Sequence, residues 1–173
     1  MREGLVENWN NVVTPDDVVY ILGDVVMGKR AENLPVLNDL NGYKVLILGN
    51  HDYPHPSNPS KIVDKWTQVY ADYVDEMHLE LDKLFEGRPF RLSHFPAKMI
   101  DHTDEVRYAE FRPQVPEDGY LIHGHLHCVD RVVADRHIHI GIDADWTDYD
   151  VPRYTPIPET AIGKLIKRVE VRQ

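Results

Sequence analysis

Apolar residues return along this chain with two periods, and the switches between them outline its elements. Leu5, Val6, Trp9, Val12 and Val13 fall at helical spacing, so residues 3–13 are predicted to form a short amphipathic helix, ended by Thr14-Pro15-Asp16-Asp17. Val18 to Leu22 is a β-branched, apolar run of strand length that stops at Gly23-Asp24. Leu34, Leu37 and Leu40 share one face of a helix predicted over 30–40. Pro35 is tolerable there only in the first turn, because proline lacks the amide hydrogen that a later turn needs. Asn41-Gly42 closes that helix, and a strand follows over 43–48. Strand, helix and strand in this order make a βαβ unit, whose crossover is right-handed.

Prolines break 54–59 into a loop, and Ser60 is placed to cap the next helix, whose apolar stripe is Ile62, Val63, Trp66, Val69 and Tyr73. From residue 76 the period shortens. Met77-His78-Leu79-Glu80-Leu81 and Phe90-Arg91-Leu92-Ser93 predict strands, as do Tyr120 to His123, Arg131 to Val133 and His137 to Ile140. The polar stretch 97–118 predicts a long loop with one helical turn, and a last helix opened by Pro158 covers 158–168. No repeat, low-complexity tract or linker divides the chain, so residues 1–173 read as a single domain. A βαβ first half followed by a mostly β second half gives an α/β fold class, with two packed β-sheets flanked by helices.

Composition narrows the function. Net charge is −10, with acid spread along the chain, so the basic footprint of a nucleic-acid binder is absent. Cys128 is the only cysteine, which rules out an internal disulfide and gives no sign of an oxidising compartment. No apolar run reaches membrane-spanning length and the first residues lack a signal peptide's hydrophobic region, so a cytoplasmic protein is expected.

Four of the predicted strands end in side chains suited to binding ions. The organising stretch is Leu48-Gly49-Asn50-His51-Asp52, where an apolar run delivers an amide, an imidazole and a carboxylate to the crevice at a strand's end. Gly23-Asp24, Ser93-His94 and Gly124-His125-Leu126-His127 repeat that plan. Asp24, Asn50, His94, His125 and His127 are oxygen and nitrogen donors with no cysteine among them, a set that suits Mn²⁺, Fe²⁺, Zn²⁺ or Co²⁺ better than a structural zinc site. Asp24 has two oxygens and could bridge a metal pair roughly 3.5–4 Å apart, the arrangement used in phosphoryl displacement. His51, with Asp52 beside it to orient the ring, could donate a proton to a leaving oxygen.

These four motifs, in this order, resemble four of the five motifs of the calcineurin-like metallophosphoesterases. Glu7-Asn8-Trp9-Asn10, Pro15-Asp16-Asp17 and Gly141-Ile142-Asp143 are similar to the small bacterial and phage members, so the resemblance spans nearly the whole chain. It implies a binuclear phosphoesterase on a β-sandwich flanked by helices, hydrolysing phosphomonoesters or phosphodiesters through a metal-activated hydroxide. It also implies that Asp24 bridges both ions, that Asn50, His94 and His125 hold the second, that His127 helps hold the first, and that His51 protonates the leaving group.

The departure from the family pattern is equally specific. The family opens with a strand ending in Asp-x-His, and nothing before Asp24 has that form, so the chain reads as truncated at its N-terminus relative to the family. The triplet Asp135-Arg136-His137 stands near the wrong end to replace it. One ion per chain, rather than two, is therefore the expectation, and the alternative function is a catalytically impaired or non-catalytic metallophosphoesterase-like binding protein that holds one ion or none and acts through its surface. His55, His78, His102, His137 and His139 are expected to be exposed or to lie on strand faces, His123 to serve its strand, and Cys128 to be a buried or half-buried bystander.

Overall fold

The computed structural model describes residues 2–85, 87–97 and 108–170. Helix α1 (Arg2–Asn10) leads into β1 (Val18–Ile21); α2 (Arg30–Asn33) runs on as a 3-10 helix (Leu34–Asp39) into β2 (Tyr43–Ile47). Then follow α3 (Ser60–Tyr70), β3 (Glu76–His78), β4 (Glu80–Phe85) and β5 (Arg88–Ser93). A 3-10 turn (Ala109–Phe111), β6 (Tyr120–His123), β7 (Val132–Ala134), β8 (His137–His139), a second 3-10 turn (Thr147–Tyr149) and α4 (Glu159–Glu170) complete it.

The strands form two sheets. The first has the order β1-β2-β3 and is wholly parallel, with Val18 opposite Tyr43 and Val45 opposite Glu76. The second has the order β4-β5-β6-β8-β7; β5, β6 and β8 are parallel, with antiparallel β4 and β7 at its two edges. Alternation along β2 assigns its two faces. Ile47 faces a core shared with Leu22, Phe90, Leu92, Ile122 and Ile138, which joins the two sheets and takes in Ile162, Leu165 and Ile166 of α4. Leu46 and Leu48 face the other way, against Leu34, Leu37, Tyr70 and Val74. The expected stripe on α3 is present in part: Trp66 and Val69 pack on this second core, joined by Tyr73 beyond the helix end, whereas Ile62 is exposed.

Three expectations need revision. The run 77–81 is not one strand: the chain leaves the first sheet at His78, turns at exposed Leu79, and enters the second sheet at Glu80. Its alternation is continuous, but the hydrogen-bonding partner changes. The helix over 30–40 is α-helical only to Asn33 and continues as a 3-10 helix with Pro35 in its first positions, where the missing amide hydrogen costs nothing. Ser60 is the first residue of α3 rather than its cap; Pro59 occupies the cap position, with no side-chain cap bond. Helix α1 forms as expected but docks through polar bonds, Trp9 Nε1 donating to Asn41 O at 3.0 Å and Asn10 Nδ2 to Asp39 O at 2.7 Å. Among the described residues no helix is long and apolar enough to cross a membrane.

Candidate metal centre

All four motifs lie just past the C-terminal ends of parallel strands: Gly23-Asp24 after β1, Gly49 to Asp52 after β2, His94 after β5, and Gly124 to His127 after β6. Two strands come from each sheet, so the motifs bring both sheets' strand ends together. The closeness depends on two glycines. A Cβ on Gly49 would overlap Asp24 Oδ1 and stand 2.6 Å from Asp24 N and 2.8 Å from His94 Cε1. Gly23 has φ +83°, and a Cβ there would overlap His94 Nδ1. Glycine is needed at both places, at one for space and at the other for space and backbone conformation.

His94, 2% exposed, is the centre of the cluster. Its Nδ1–H donates to Leu22 O at 2.7 Å, tying the second sheet to the first. Burial holds its pKa below the usual imidazole value, so Nε2 carries a lone pair rather than a proton. That bare nitrogen faces Asn50 Oδ1 at 3.1 Å, His125 Nδ1 at 3.1 Å and Asp24 Oδ2 at 3.6 Å. Donors about 2.1 Å from a shared ion stand roughly 3.0–3.4 Å from one another, close to these separations. An electron-rich set at this spacing, with the opposite imidazole nitrogen bonded to a backbone carbonyl, is the arrangement of metal-ligating histidines. Among the described residues no three His, Cys, Asp or Glu side chains stand ready-made for an ion. The cluster instead sets Asp24, His94 and His125 beside the amide oxygen of Asn50, oxygen and nitrogen donors of the types that divalent cations accept.

Backbone strain accompanies the cluster. Asp24 (φ +53°) and His125 (φ +64°) both occupy the left-handed region, which costs a non-glycine residue on the order of 1 kcal/mol and gathers at functional sites. Asp24 divides its oxygens: Oδ2 faces His94, while Oδ1 accepts from His51 N at 2.8 Å.

Asp52 corrects its expected role as the group orienting His51. Fully buried, it accepts from the backbone amides of Asp24 (2.8 Å), Gly49 (2.8 Å) and Val25 (3.1 Å), and from Tyr70 OH (3.4 Å). Its carboxylate thus fastens the β1 and β2 loops together. Adjacent side chains in the turn diverge, so His51 reaches the surface while Asp52 turns inward. Burial pushes the Asp52 pKa up to about 6 against the opposing pull of those amides.

The structure keeps His127 apart from the four-donor cluster. Its side chain is 87% exposed, and Nδ1 pairs with Asp143 Oδ2 at 3.1 Å. Cys128 is half-buried and outside the cluster, its Sγ 3.6 Å from His139 Nδ1. His55, His137 and His139 are buried, and His123 is wholly so. The last three share one face of the second sheet, each donating Nδ1–H to a backbone carbonyl, of Asp135, Asp130 and Gly124 respectively. His55 lies in a loop rather than on a strand, packed against Phe95 and Phe111. Asp135 is exposed and His137 is held in that patch, so neither joins the cluster. His102 lies outside the described residues. Arg30 and Tyr53, which no motif singles out, border His51: Arg30 donates to His51 O at 3.0 Å, and its guanidinium lies 4.4 Å over the Tyr53 ring.

Fold and site together define a two-sheet α/β sandwich with a cluster of oxygen and nitrogen donors just past the ends of its parallel strands. The chain belongs to the family of the Gene 66 protein of mycobacteriophage L5, to which it is 38% identical over 152 aligned residues, covering 81% of this chain and 72% of that protein. No protein-family model matches it. Among solved structures, a protein of unknown function from Aquifex aeolicus has the same fold, with a TM-score of 0.65 and 26% identity over 95% of this chain and 84% of that one. A novel archaeal phosphodiesterase aligns more remotely, with a TM-score of 0.42 and 16% identity over 83% of this chain and 75% of that one, a likeness that does not bear on activity.

Proposed function

We propose that the chain is a metal-dependent phosphoesterase of the calcineurin-like type, hydrolysing phosphomonoesters or phosphodiesters. The observation that carries this reading is the lone pair of His94 Nε2, buried and faced by donor atoms of Asp24, Asn50 and His125. Asp24, Asn50, His94 and His125 would hold the ion, Mn²⁺ or else Fe²⁺, Zn²⁺ or Co²⁺. A bound divalent cation supplies charge neutralisation for phosphate oxygens and lowers the pKa of a water nucleophile.

The chain's own residues supply the rest. Leu22 O fixes the His94 tautomer, so Nε2 presents its lone pair. Asp52 ties together the loops carrying Asp24 and Asn50, which keeps the donors at their spacing. Exposed His51, whose amide is fixed to Asp24, stands at the rim to pass a proton to the departing oxygen. The motif order matching the calcineurin-like family supports the same reading.

The test is hydrolysis of bis-p-nitrophenyl phosphate by chelator-stripped protein, with and without added Mn²⁺, beside His94→Ala. Mn²⁺-dependent turnover that His94→Ala abolishes is expected. Turnover indifferent to chelation would overturn the reading. Tight ion binding with no turnover would favour the non-catalytic, metal-binding alternative.

A further inference from the structure

Arg30 reaches across from the start of α2 to the loop that carries His51, and we propose that it is a positioning residue for that proton donor; the proposal rests on the phosphoesterase reading of the site. Its guanidinium makes two bonds that join separate loops: NH1 donates to Gly28 O at 2.9 Å and NH2 to His51 O at 3.0 Å. The guanidinium lies over Tyr53, 4.4 Å from the ring centroid, and Tyr53 is braced in turn by an edge contact with Trp66 at 4.8 Å.

His51 is therefore gripped at both ends of its backbone. Its N–H donates to Asp24 Oδ1 at 2.8 Å and its C=O accepts from Arg30. The residue itself is exposed, so the imidazole takes its aim from the backbone below it. The Asp24 bond sets that aim relative to the ion-binding cluster, and the Arg30 bond stops the peptide from rotating about it. A lysine could reach one carbonyl but could neither fork between two nor stack on Tyr53.

The test uses Arg30→Ala and Arg30→Lys in the full chain, with two diesters: bis-p-nitrophenyl phosphate, whose leaving group needs little protonation, and diphenyl phosphate, whose leaving group needs more. Arg30→Ala should lower kcat for diphenyl phosphate roughly tenfold more than for bis-p-nitrophenyl phosphate, with Arg30→Lys between it and the native chain. In a His51→Ala background, Arg30→Ala should cost nothing further on diphenyl phosphate, since the two residues then act as one unit. Hydrogen exchange gives a readout apart from turnover. The amides of His51 and Asp52, bonded to Asp24 Oδ1 and Gly49 O, should exchange roughly tenfold faster in Arg30→Ala. Equal losses on the two esters, additive losses with His51→Ala, or unchanged exchange would each overturn the proposal. If Arg30→Ala does not fold, Arg30→Lys carries the same comparisons. A native chain that turns over neither ester at any Mn²⁺ level would overturn the phosphoesterase reading instead, and exchange would still show whether Arg30 fixes the loop.

Discussion

The carboxylate of Asp52 lies 2.8 Å from the backbone amide of Asp24, 28 residues earlier in the chain, and the same oxygen accepts the amide of Gly49. One buried side chain thus closes two strand-end loops onto each other, and these loops carry Asp24 and Asn50 of the donor cluster. Removing it should cost more than any rim residue. Asp52→Ala leaves three amides without their acceptor, that of Gly49 buried and those of Asp24 and Val25 half-buried, where a fully buried unpaired amide costs roughly 1–3 kcal/mol. Chemical denaturation should show Asp52→Ala far less stable than native and unable to retain Mn²⁺. Near-native stability would mean that water replaces the carboxylate and that the loops need no such tie.

Metal stoichiometry should follow the geometry. Donor atoms of Asn50, His125 and Asp24 all face His94 Nε2, whereas His127 is turned toward Asp143. Metal analysis after dialysis should find close to one Mn²⁺-class ion per chain, lost in Asp24→Ala and His94→Ala and kept in His127→Ala. Two tightly held ions would show that His127 swings in to complete a second position.

His51 should matter for turnover and little for ion retention, because its ring is exposed and, among the described residues, only its backbone amide is bonded to a donor, Asp24. His51→Ala should lower kcat by roughly 10²–10⁴-fold, the usual reach of general acid catalysis, with a smaller loss for p-nitrophenyl esters. Losses that ignore the leaving group would remove His51 from proton donation.

Much of this site is legible in the sequence because each motif ends an apolar strand, and strand ends in parallel sheets converge. Gly-Asp, Gly-Asn-His-Asp, Ser-His and Gly-His-Leu-His all stand where their runs predict. What sequence spacing hides is partnership. Asp52 sits next to His51 in the chain, yet its acceptor role serves amides of distant Asp24 and Val25. Leu79 continues an unbroken alternation, yet the chain changes sheets there. His137 and His139 alternate with Ile138 as an exposed strand face would, but their face of the second sheet is buried. Arg30 carries no motif signal, since a fork between two backbone carbonyls depends on loop geometry alone.

Those buried histidines give the fold an acid sensitivity whose sign can be worked out. Burial lowers His55 to about 4 and His123 to about 3, and it pushes His94, His137 and His139 downward as well. An unfolded histidine takes up its proton near 6.5, so between that pH and the folded value the unfolded chain binds more protons, and stability falls as pH falls. Each such group contributes about 1.4 kcal/mol per pH unit across its window. Asp52 works the other way: with its folded pKa raised to about 6, it favours folding as pH drops from 6 toward the ordinary carboxylate range. Five histidines, reinforced by carboxylates such as Asp82 that their partners hold low, outweigh Asp52 and the raised Glu80, so acid destabilisation wins. The melting temperature should therefore fall steadily from pH 6.5 to pH 4. His55→Phe isolates one contribution, because phenylalanine suits a site bounded by Phe95 and Phe111 but cannot titrate. That variant should lose less stability over the same pH interval than the native chain, whatever its stability at neutral pH. A pH slope equal to the native one would mean that His55 is solvated enough to take its proton in the folded state.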